Sequence, residues 1–422
     1  MRRRRNIALT LGLGFVLGVG LLVLLTWGNL SYVRQNPGGN DFLVHWMGTR
    51  SFLVDGISPY SDQTALRIQT FAYGRPAQKG EHQLRVAYPF YSIIVFFPFA
   101  LFSDFSTARA LWMTVLEVAL LGLAFLSIRL ANWKPSFLML VFYTLFSILW
   151  YHSVRPLING NAVILVALAI VGALLAIRSG ADELAGVLLA FTTIKPQVVL
   201  IFLIFVILWA IINRRWRLIA WLFGTMVILV AIATFLMPDW ILQNIHEVLI
   251  YPSYNPPGTP GAALATLFPA MGQRLGYALT GVIIVILLFE WISGRNADFR
   301  GFVWMACLTL VASQWSGIQT DPGNFLVCFP AFALIFALID ERYRKMGWLI
   351  STLIMLFVGI GLWALFIKTV DYSSGQPLQS PIMFFPLPAI LFILLFWVRW
   401  WAFHPVSNWF DLVYERENPK IR

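Results

Sequence analysis

The residues best suited to chemistry are few, and they stand apart from the apolar bulk of the chain. In "TTIKPQ", Lys195 falls inside an apolar segment beside Pro196. An ionisable group at membrane depth is a functional candidate by default, and an ammonium there would pair with an anion such as a lipid phosphate. The plainer reading is a lysine snorkelling to an interface. In "HSVRPLINGNA", His152, Arg155, Asn159 and Asn161 gather between two apolar runs, either as a binding mouth or as a polar connecting turn. In "QWSGIQTDPGN", Gln314, Trp315, Gln319, Asp321 and Asn324 form a similar group, with Asp321 equally suited to cap the helix that follows. Asp41 opens an aromatic-rich stretch, "NDFLVHWMGTRSFLVDGISPY". On position alone it reads as an N-cap, since Asn and Asp are preferred there.

These groups need a scaffold, and composition says what kind. Hydrophobic residues make up 59% of the chain and charged ones 12%, against roughly 25% charged in a soluble domain. A spanning helix takes about 20 largely apolar residues. Candidate spans lie at 7–27, 108–130, 136–152, 162–177, 218–237, 275–292, 301–313, 324–339, 347–367 and 382–398. Two stretches fit less simply. Residues 88–102 are few and include Pro89 and Pro98, and 184–212 is too long for one upright helix and is interrupted at "TTIKPQ". The expected fold is an all-α polytopic bundle of about ten to thirteen hydrophobic segments, forming a single membrane-embedded domain over residues 1–422. The N-terminal apolar run is too long for a signal peptide and lacks a small-x-small cleavage site, so it is read as the first span.

The net charge of +11 could suggest nucleic acid, but the basic residues sit in short clusters between apolar runs. With the arginines at 2–5 in the cytoplasm, 19 of the 30 Lys and Arg fall on the cytoplasmic side, as the positive-inside rule requires. That layout requires 88–102 to be re-entrant from outside and 184–212 to be a broken hairpin from inside. It describes a multi-pass plasma-membrane protein whose long extracytoplasmic loops are 30–87 and 238–274. In the first loop, apolar residues recur at Phe42, Trp46, Met47, Phe52 and Leu53 after the turn Pro37-Gly38-Gly39. This approximates an amphipathic helix lying at the interface and ending at Asp55-Gly56. The second loop holds "IYPSYNPPGTPG", whose prolines and glycines imply an ordered extended segment. Cys307 and Cys328 read as small buried residues. With no HExxH or CxxC pattern, no metal site is expected.

In order along the chain, "NDFLVHWMGTRSFLVDGISPY", "YPFYSIIVFFPFALF", "INGNAVILVALAIVGALLAIRSG" and "LAGVLLAFTTIKPQVVLIFLIF" resemble the glycosyltransferase family 87 membrane enzymes. These are polyprenol-phosphate-sugar-dependent transferases of the GT-C fold, mycobacterial mannosyltransferases among them. The resemblance runs from the first span to about Arg217. The family usually has Gly-Gln where this chain has Gly160-Asn161, and a late Trp- and His-bearing motif where this chain has "WSGIQTDPGN". The second departure leaves the acceptor or phosphate contacts open.

The resemblance implies a hexosyltransferase acting outside the cell on a polyprenyl-phosphate-linked sugar, with mannose the family's best-known case and a glycolipid or glycan as acceptor. It implies Asp41 as the general base, taking the proton of the acceptor hydroxyl as that oxygen attacks the anomeric carbon. Lys195, and after it Arg155, would stabilise the leaving phosphate. Asn161 and Asp321 complete the candidate substrate-binding set. Trp46, Tyr60 and the "YPSYN" aromatics stand either as a sugar-stacking wall or as loop anchors. No diphosphate leaves, so no DxD motif, metal or cofactor is demanded. Two other readings compete: a transporter or flippase of a lipid-linked sugar, and a non-catalytic membrane partner. Transporters tend to show internal repeats and paired broken helices, and here one broken segment and no repeat are visible.

Overall fold

The computed structural model describes residues 2–79, 81–255, 258–372 and 377–404, with 2–11 described as backbone only. The basic tail expected inside therefore lies mostly outside the described residues. Helices follow one another as α1 (Arg2–Gln35), α2 (Asn40–Asp55), α3 (Asp62–Tyr73), α4 (Ile93–Ala100), α5 (Phe105–Leu130), α6 (Phe137–Leu149), α7 (Tyr151–Asn159), α8 (Val163–Ser179) and α9 (Asp182–Thr192). Then come α10 (Pro196–Ile212), α11 (Trp216–Leu236), α12 (Trp240–Tyr254), α13 (Pro260–Leu267), α14 (Gly272–Ser293), α15 (Phe299–Ser313), α16 (Pro330–Tyr343), α17 (Gly347–Thr369) and α18 (Pro386–Phe403). Among the described residues there is no strand, only one antiparallel bridge between Asp371 and Leu378.

The protein is an all-α, multi-pass membrane protein. Among the described residues, six stretches are long and apolar enough to cross a membrane: Gly12–Gln35, Phe105–Leu130, Trp216–Leu236, Gly272–Ser293, Pro330–Thr369 and Pro381–Phe403. A seventh arises if α6 and α7, bent by 46° at their junction, make one span. The expected spans at 162–177 and 301–313 are apolar helices of 17 and 15 residues, so about 26 and 22 Å long. The break expected within 184–212 is present, with α9 ending at Thr192 and α10 starting at Pro196. Proline fits there because the first helical position has no intrahelical partner for its N–H.

Several expectations are corrected. Residues 136–152 are not one continuous helix: Trp150 is extended at φ −70°, ψ 156°, so α6 stops at Leu149. The segment that could have been a polar connecting turn is the helix α7. The expected span at 324–339 begins as a 3₁₀ turn, Pro322–Cys328, before α16. Most of 238–274 is helical, and "IYPSY" forms the end of α12 with Pro252 inside it. The helix at 40–55 ends where expected, at a left-handed Gly56. It does not lie as an amphipathic surface helix, however, because Phe42 through Trp46 are all buried.

Contacts divide the chain into two compact units. Unit 1 comprises Met1–Leu121, Val154–Leu165 and Met226–Pro256. Within it α2 packs on α3 and α4, and Phe42, fully buried, is ringed by Phe96, Phe99, Phe105 and Trp112 at 5.5–6.4 Å between centroids. Unit 2 comprises Gly122–Ser153, Val166–Thr225 and Pro257–Arg422. Its core is α15, buried at every position from Gly301 to Ser313, packed against α10, α16 and α18.

A polar clamp fixes α12 in unit 1. Arg85 donates to both carboxylate oxygens of Glu247 at 2.7 Å and to Asp62 at 2.7 Å. Asn244 donates to the carbonyls of Ala87 and Tyr88 at 3.1 Å, and the Ser58 hydroxyl to Gln243 at 2.5 Å. Glu247 is 1% exposed, so removing its partner strands a buried charge. Arg85→Ala is expected to destabilise by about 3–5 kcal/mol, while Arg85→Met/Glu247→Met recovers most of the loss. The thermal midpoints of the purified variants in detergent check this.

Candidate active site

Asp41 sits at the second helical position of α2, and the cap is Gly39, in left-handed conformation at φ 79°, ψ 35° with no side-chain hydrogen bond. The plain N-cap reading of Asp41 is therefore excluded. Its Oδ2 accepts instead from Asn161 Nδ2 at 2.9 Å. The orientation of the Asn161 amide is dictated by the chain, because its Oδ1 accepts the Val163 N–H at 2.9 Å. That leaves the amide nitrogen facing the carboxylate. The helix N-terminus adds its positive end, which favours anionic groups in the first turn. Asp41 itself is only half-buried.

The turn that delivers Asn161 explains "LINGN". The Asn161 N–H reaches the Pro156 carbonyl at 2.8 Å and the Gly160 N–H reaches Leu157 at 3.1 Å, the paired bonds of a Schellman C-cap. Such a cap needs a left-handed residue, and Gly160 has φ 71°. A Cβ at Gly160 would lie 2.5 Å from the Phe42 Cβ, so the absent side chain also lets the turn lie flush on α2. Trp112 donates from Nε1 to the Gly160 carbonyl at 2.8 Å. One turn earlier on α5, the buried Arg109 donates to the carbonyls of Asn36 and Ile158, each at 3.0 Å. Those carbonyls belong to the ends of α1 and α7, where cations are favoured.

Two neighbours of Asp41 escape the sequence reading. His45 lies one turn along the same face of α2, the i+4 spacing that makes helical residues adjacent. Its ring centroid is 3.8 Å from that of Tyr88 and 4.7 Å from that of Phe96. Removal from water, and then the charge of Asp41, pushes the Tyr88 phenol well up. Tyr88 therefore stays protonated and able to donate. The i+4 spacing of Asp41 and His45 was the available signal; nothing local pointed to Tyr88.

Other predicted residues of unit 1 are placed as follows. Trp46 is buried and donates to the Phe102 carbonyl at 3.3 Å. Tyr60 is buried and donates from its hydroxyl to the Tyr88 carbonyl at 2.7 Å; burial pushes its phenol up. Arg155 is half-buried on α7. Tyr251 and Tyr254 are half-buried and pack near-perpendicular to the His82 ring and to each other.

Lys195 belongs to unit 2. It occupies the N-cap of α10 at the helix break, is 3% exposed, and donates to Asn324 Oδ1 at 2.6 Å. Snorkelling to an interface does not describe so buried a lysine. Asn324 in turn donates to Thr320 Oγ1 at 3.1 Å. Asp321 caps the 3₁₀ turn by accepting the Gly323 N–H at 2.6 Å, and His152 Nδ1 lies 2.8 Å from the Pro322 carbonyl. The late loop and the helix break thus share one polar cluster.

The fold and the seated carboxylate define a multi-pass membrane protein with a chemically equipped loop region. A model of Glycosyltransferase family 87 matches residues 87–316, more than half of the chain, and the chain belongs to that family. It is a membrane glycosyltransferase, with a sugar donor and an acceptor as its substrates. The matched stretch includes Arg155, Asn161 and Lys195, while Asp41 precedes it and Asp321 follows it. No curated protein matches the chain.

Gly160 carries both conformational and steric demands. Gly160→Ala is expected to destabilise by about 1–3 kcal/mol from backbone strain alone, with further loss from the contact with Phe42. Gly224→Ala, at a helical glycine with open space around it, is the comparison in the same thermal melts and is expected to leave stability unchanged or raise it slightly.

Proposed function

We propose that the protein transfers a hexose, mannose in the first instance, from a polyprenyl-phosphate donor to a glycolipid or glycan acceptor on the extracytoplasmic side of the plasma membrane. Asp41 is the general base. It takes the proton of the acceptor hydroxyl, that oxygen bonds to the anomeric carbon, and the bond to phosphate breaks with its electron pair leaving on the phosphate oxygen. Attack from the opposite face inverts the anomeric centre. Arg155, half-buried on α7 in the same unit as Asp41, is the cation assigned to the phosphate, while Lys195, the first choice from sequence, is enclosed in unit 2 on Asn324. The observation that carries this reading is the seat of Asp41: a half-exposed carboxylate at a helix start, facing the oriented amide of Asn161.

In this role Asn161 positions the base instead of gripping substrate. That suits the Gly-Asn pair standing where the family usually has Gly-Gln, since either amide offers a donor on the same turn. Trp46 and Tyr60 act by holding α2, which carries Asp41, and the segment that carries Tyr88. Tyr251 and Tyr254, which are half-buried, are the aromatics assigned to contact the sugar.

Sugar transfer from radiolabelled polyprenyl-phosphate mannose to membrane glycolipid, in membranes with matched protein levels, tests the assignment. General-base catalysis contributes about 10²–10⁴-fold, so Asp41→Asn is expected to lose activity on that scale while remaining folded. Equal transfer by both proteins would refute the role of Asp41. Asn161→Asp provides a second, pH-resolved test. Two carboxylates sharing one site raise the pKa of one of them, and the base must be deprotonated to act. The acidic limb of the rate profile is therefore expected to move to higher pH in Asn161→Asp, with activity partly recovered as pH rises.

A further inference from the structure

The segment 82–88 of unit 1 is fastened to two helices, α12 and α2. Against α12, Asn244 donates to the Tyr88 carbonyl at 3.1 Å and Arg85 holds Glu247 at 2.7 Å. Residues 244, 247 and 251 are spaced by three and four, so they share one face of that helix. Tyr251 continues the face beside the segment, its ring meeting that of His82 at 6.3 Å between centroids. Against α2, the Tyr88 ring lies on that of His45 at 3.8 Å, one helical turn from Asp41. The Tyr60 hydroxyl fixes the Tyr88 carbonyl a second time at 2.7 Å.

Backbone and ring of Tyr88 are thus both held in place. Its phenol is in electrostatic reach of Asp41 and of Tyr251, so it links the carboxylate on α2 to the aromatics of α12. The Tyr60 hydroxyl, by contrast, is committed to a backbone carbonyl. Beyond Tyr251, at 5.4 Å between ring centroids, lies Tyr254. The Tyr254 hydroxyl is enclosed and meets no hydrogen-bonding group among the described residues. Buried polar atoms are nearly always paired, so this one marks a place for an incoming neutral oxygen.

We propose that Tyr88 is a specificity-determining residue, donating a hydrogen bond from its phenol to a hydroxyl oxygen of the hexose being transferred. This rests on the reading of Asp41 as the base. In that reaction the acceptor oxygen stands at Asp41 as it bonds to the anomeric carbon, and the ring carried by that carbon extends towards Tyr251. Tyr88 is the residue such a ring meets between them. An ionised carboxylate can only accept hydrogen bonds, so recognition of a sugar oxygen beside it needs a separate donor. A site built to hydrogen-bond a hydroxyl rejects an analogue lacking it far more strongly than an apolar pocket does. Tyr88 therefore bears on which sugar is transferred and not on how the base works.

The test is a double-mutant cycle between protein and substrate, run on the full-length protein in membranes. Wild type, Tyr88→Phe and Tyr60→Phe are each given polyprenyl-phosphate mannose and its monodeoxy analogues, one for each free hydroxyl. The kcat/KM for transfer to membrane glycolipid is measured throughout. Tyr88→Phe keeps the ring on His45 and loses only the hydroxyl. It is expected to lower kcat/KM for the mannosyl donor about tenfold, and to cause no loss with the one deoxy donor whose missing hydroxyl is its partner. The acid limb of its rate profile is expected to match that of wild type. Tyr60→Phe is expected to lower the thermal midpoint and to affect all donors alike. Equal loss of Tyr88→Phe with every donor would overturn the proposal, as would an unchanged kcat/KM. A moved acid limb without coupling to any donor would also overturn it, making Tyr88 a positioning residue for Asp41. Asp41→Asn in the same assay separates the two claims: equal transfer removes the base reading, whereas its loss alongside uncoupled donors removes the role of Tyr88 alone. No transfer by wild type would overturn the function on which both rest.

Discussion

The seat of Asp41 depends on one buried guanidinium. Arg109 is 1% exposed and donates to the last carbonyls of two helices, at Asn36 and at Ile158. Carbonyls at helix ends have no intrahelical donor, and hydrogen bonds to charged groups contribute about 1.5–3 kcal/mol each. The same side chain fills the space where Gly39 has no Cβ, its Nε lying 2.4 Å from where that atom would be. One residue thus fixes the turn that starts α2 and the turn that delivers Asn161. Trp112, one helical turn on, fixes the second of these again through Gly160. The Asp41–Asn161 bond is the product of these constraints and not of either loop alone.

Much of this was legible in the sequence where the signal was local. Alternating apolar runs and basic clusters told of a polytopic α-helical membrane protein. The break at "TTIKPQ" announced itself through Pro196, and Asp55-Gly56 marked the end of α2. What was not legible depended on distant partners. Pro252 argued for an extended loop, yet it lies inside α12 because Arg85, the carbonyls of Ala87 and Tyr88, and Ser58 hold Glu247, Asn244 and Gln243 of that helix in place. Tertiary contacts there outweigh the local preference of proline. Asp41 could be singled out, but whether it caps a helix or faces an amide depended on a residue 120 positions away. Likewise, an apolar stripe on α2 suggested a surface helix, when in fact the chain closes over it from several sides.

The two polar clusters solve the problem of charge near a membrane differently. Asp41 is left half-exposed and is supported by the Asn161 amide and a helix start. Lys195 is almost wholly enclosed and is met by the amide oxygen of Asn324 at the helix break. An ionised group withdrawn from water must find compensating dipoles nearby, and a broken helix supplies unpaired backbone groups and room for them. The arrangement keeps charge within the hydrophobic body of unit 2 without a regular helix passing through it.

The long reach of these pairs bears on how the protein is made. Asp41 and Asn161 are separated by 120 residues and Lys195 and Asn324 by 129. Translation runs from the N-terminus, so Lys195 must leave the ribosome and meet the insertion machinery well before its amide partner exists. During that interval the α9–α10 segment carries an ammonium with no Asn324 to receive it. A brief hold at the edge of the translocon, where water is still at hand, would suit a helix pair broken at that lysine better than immediate release into lipid.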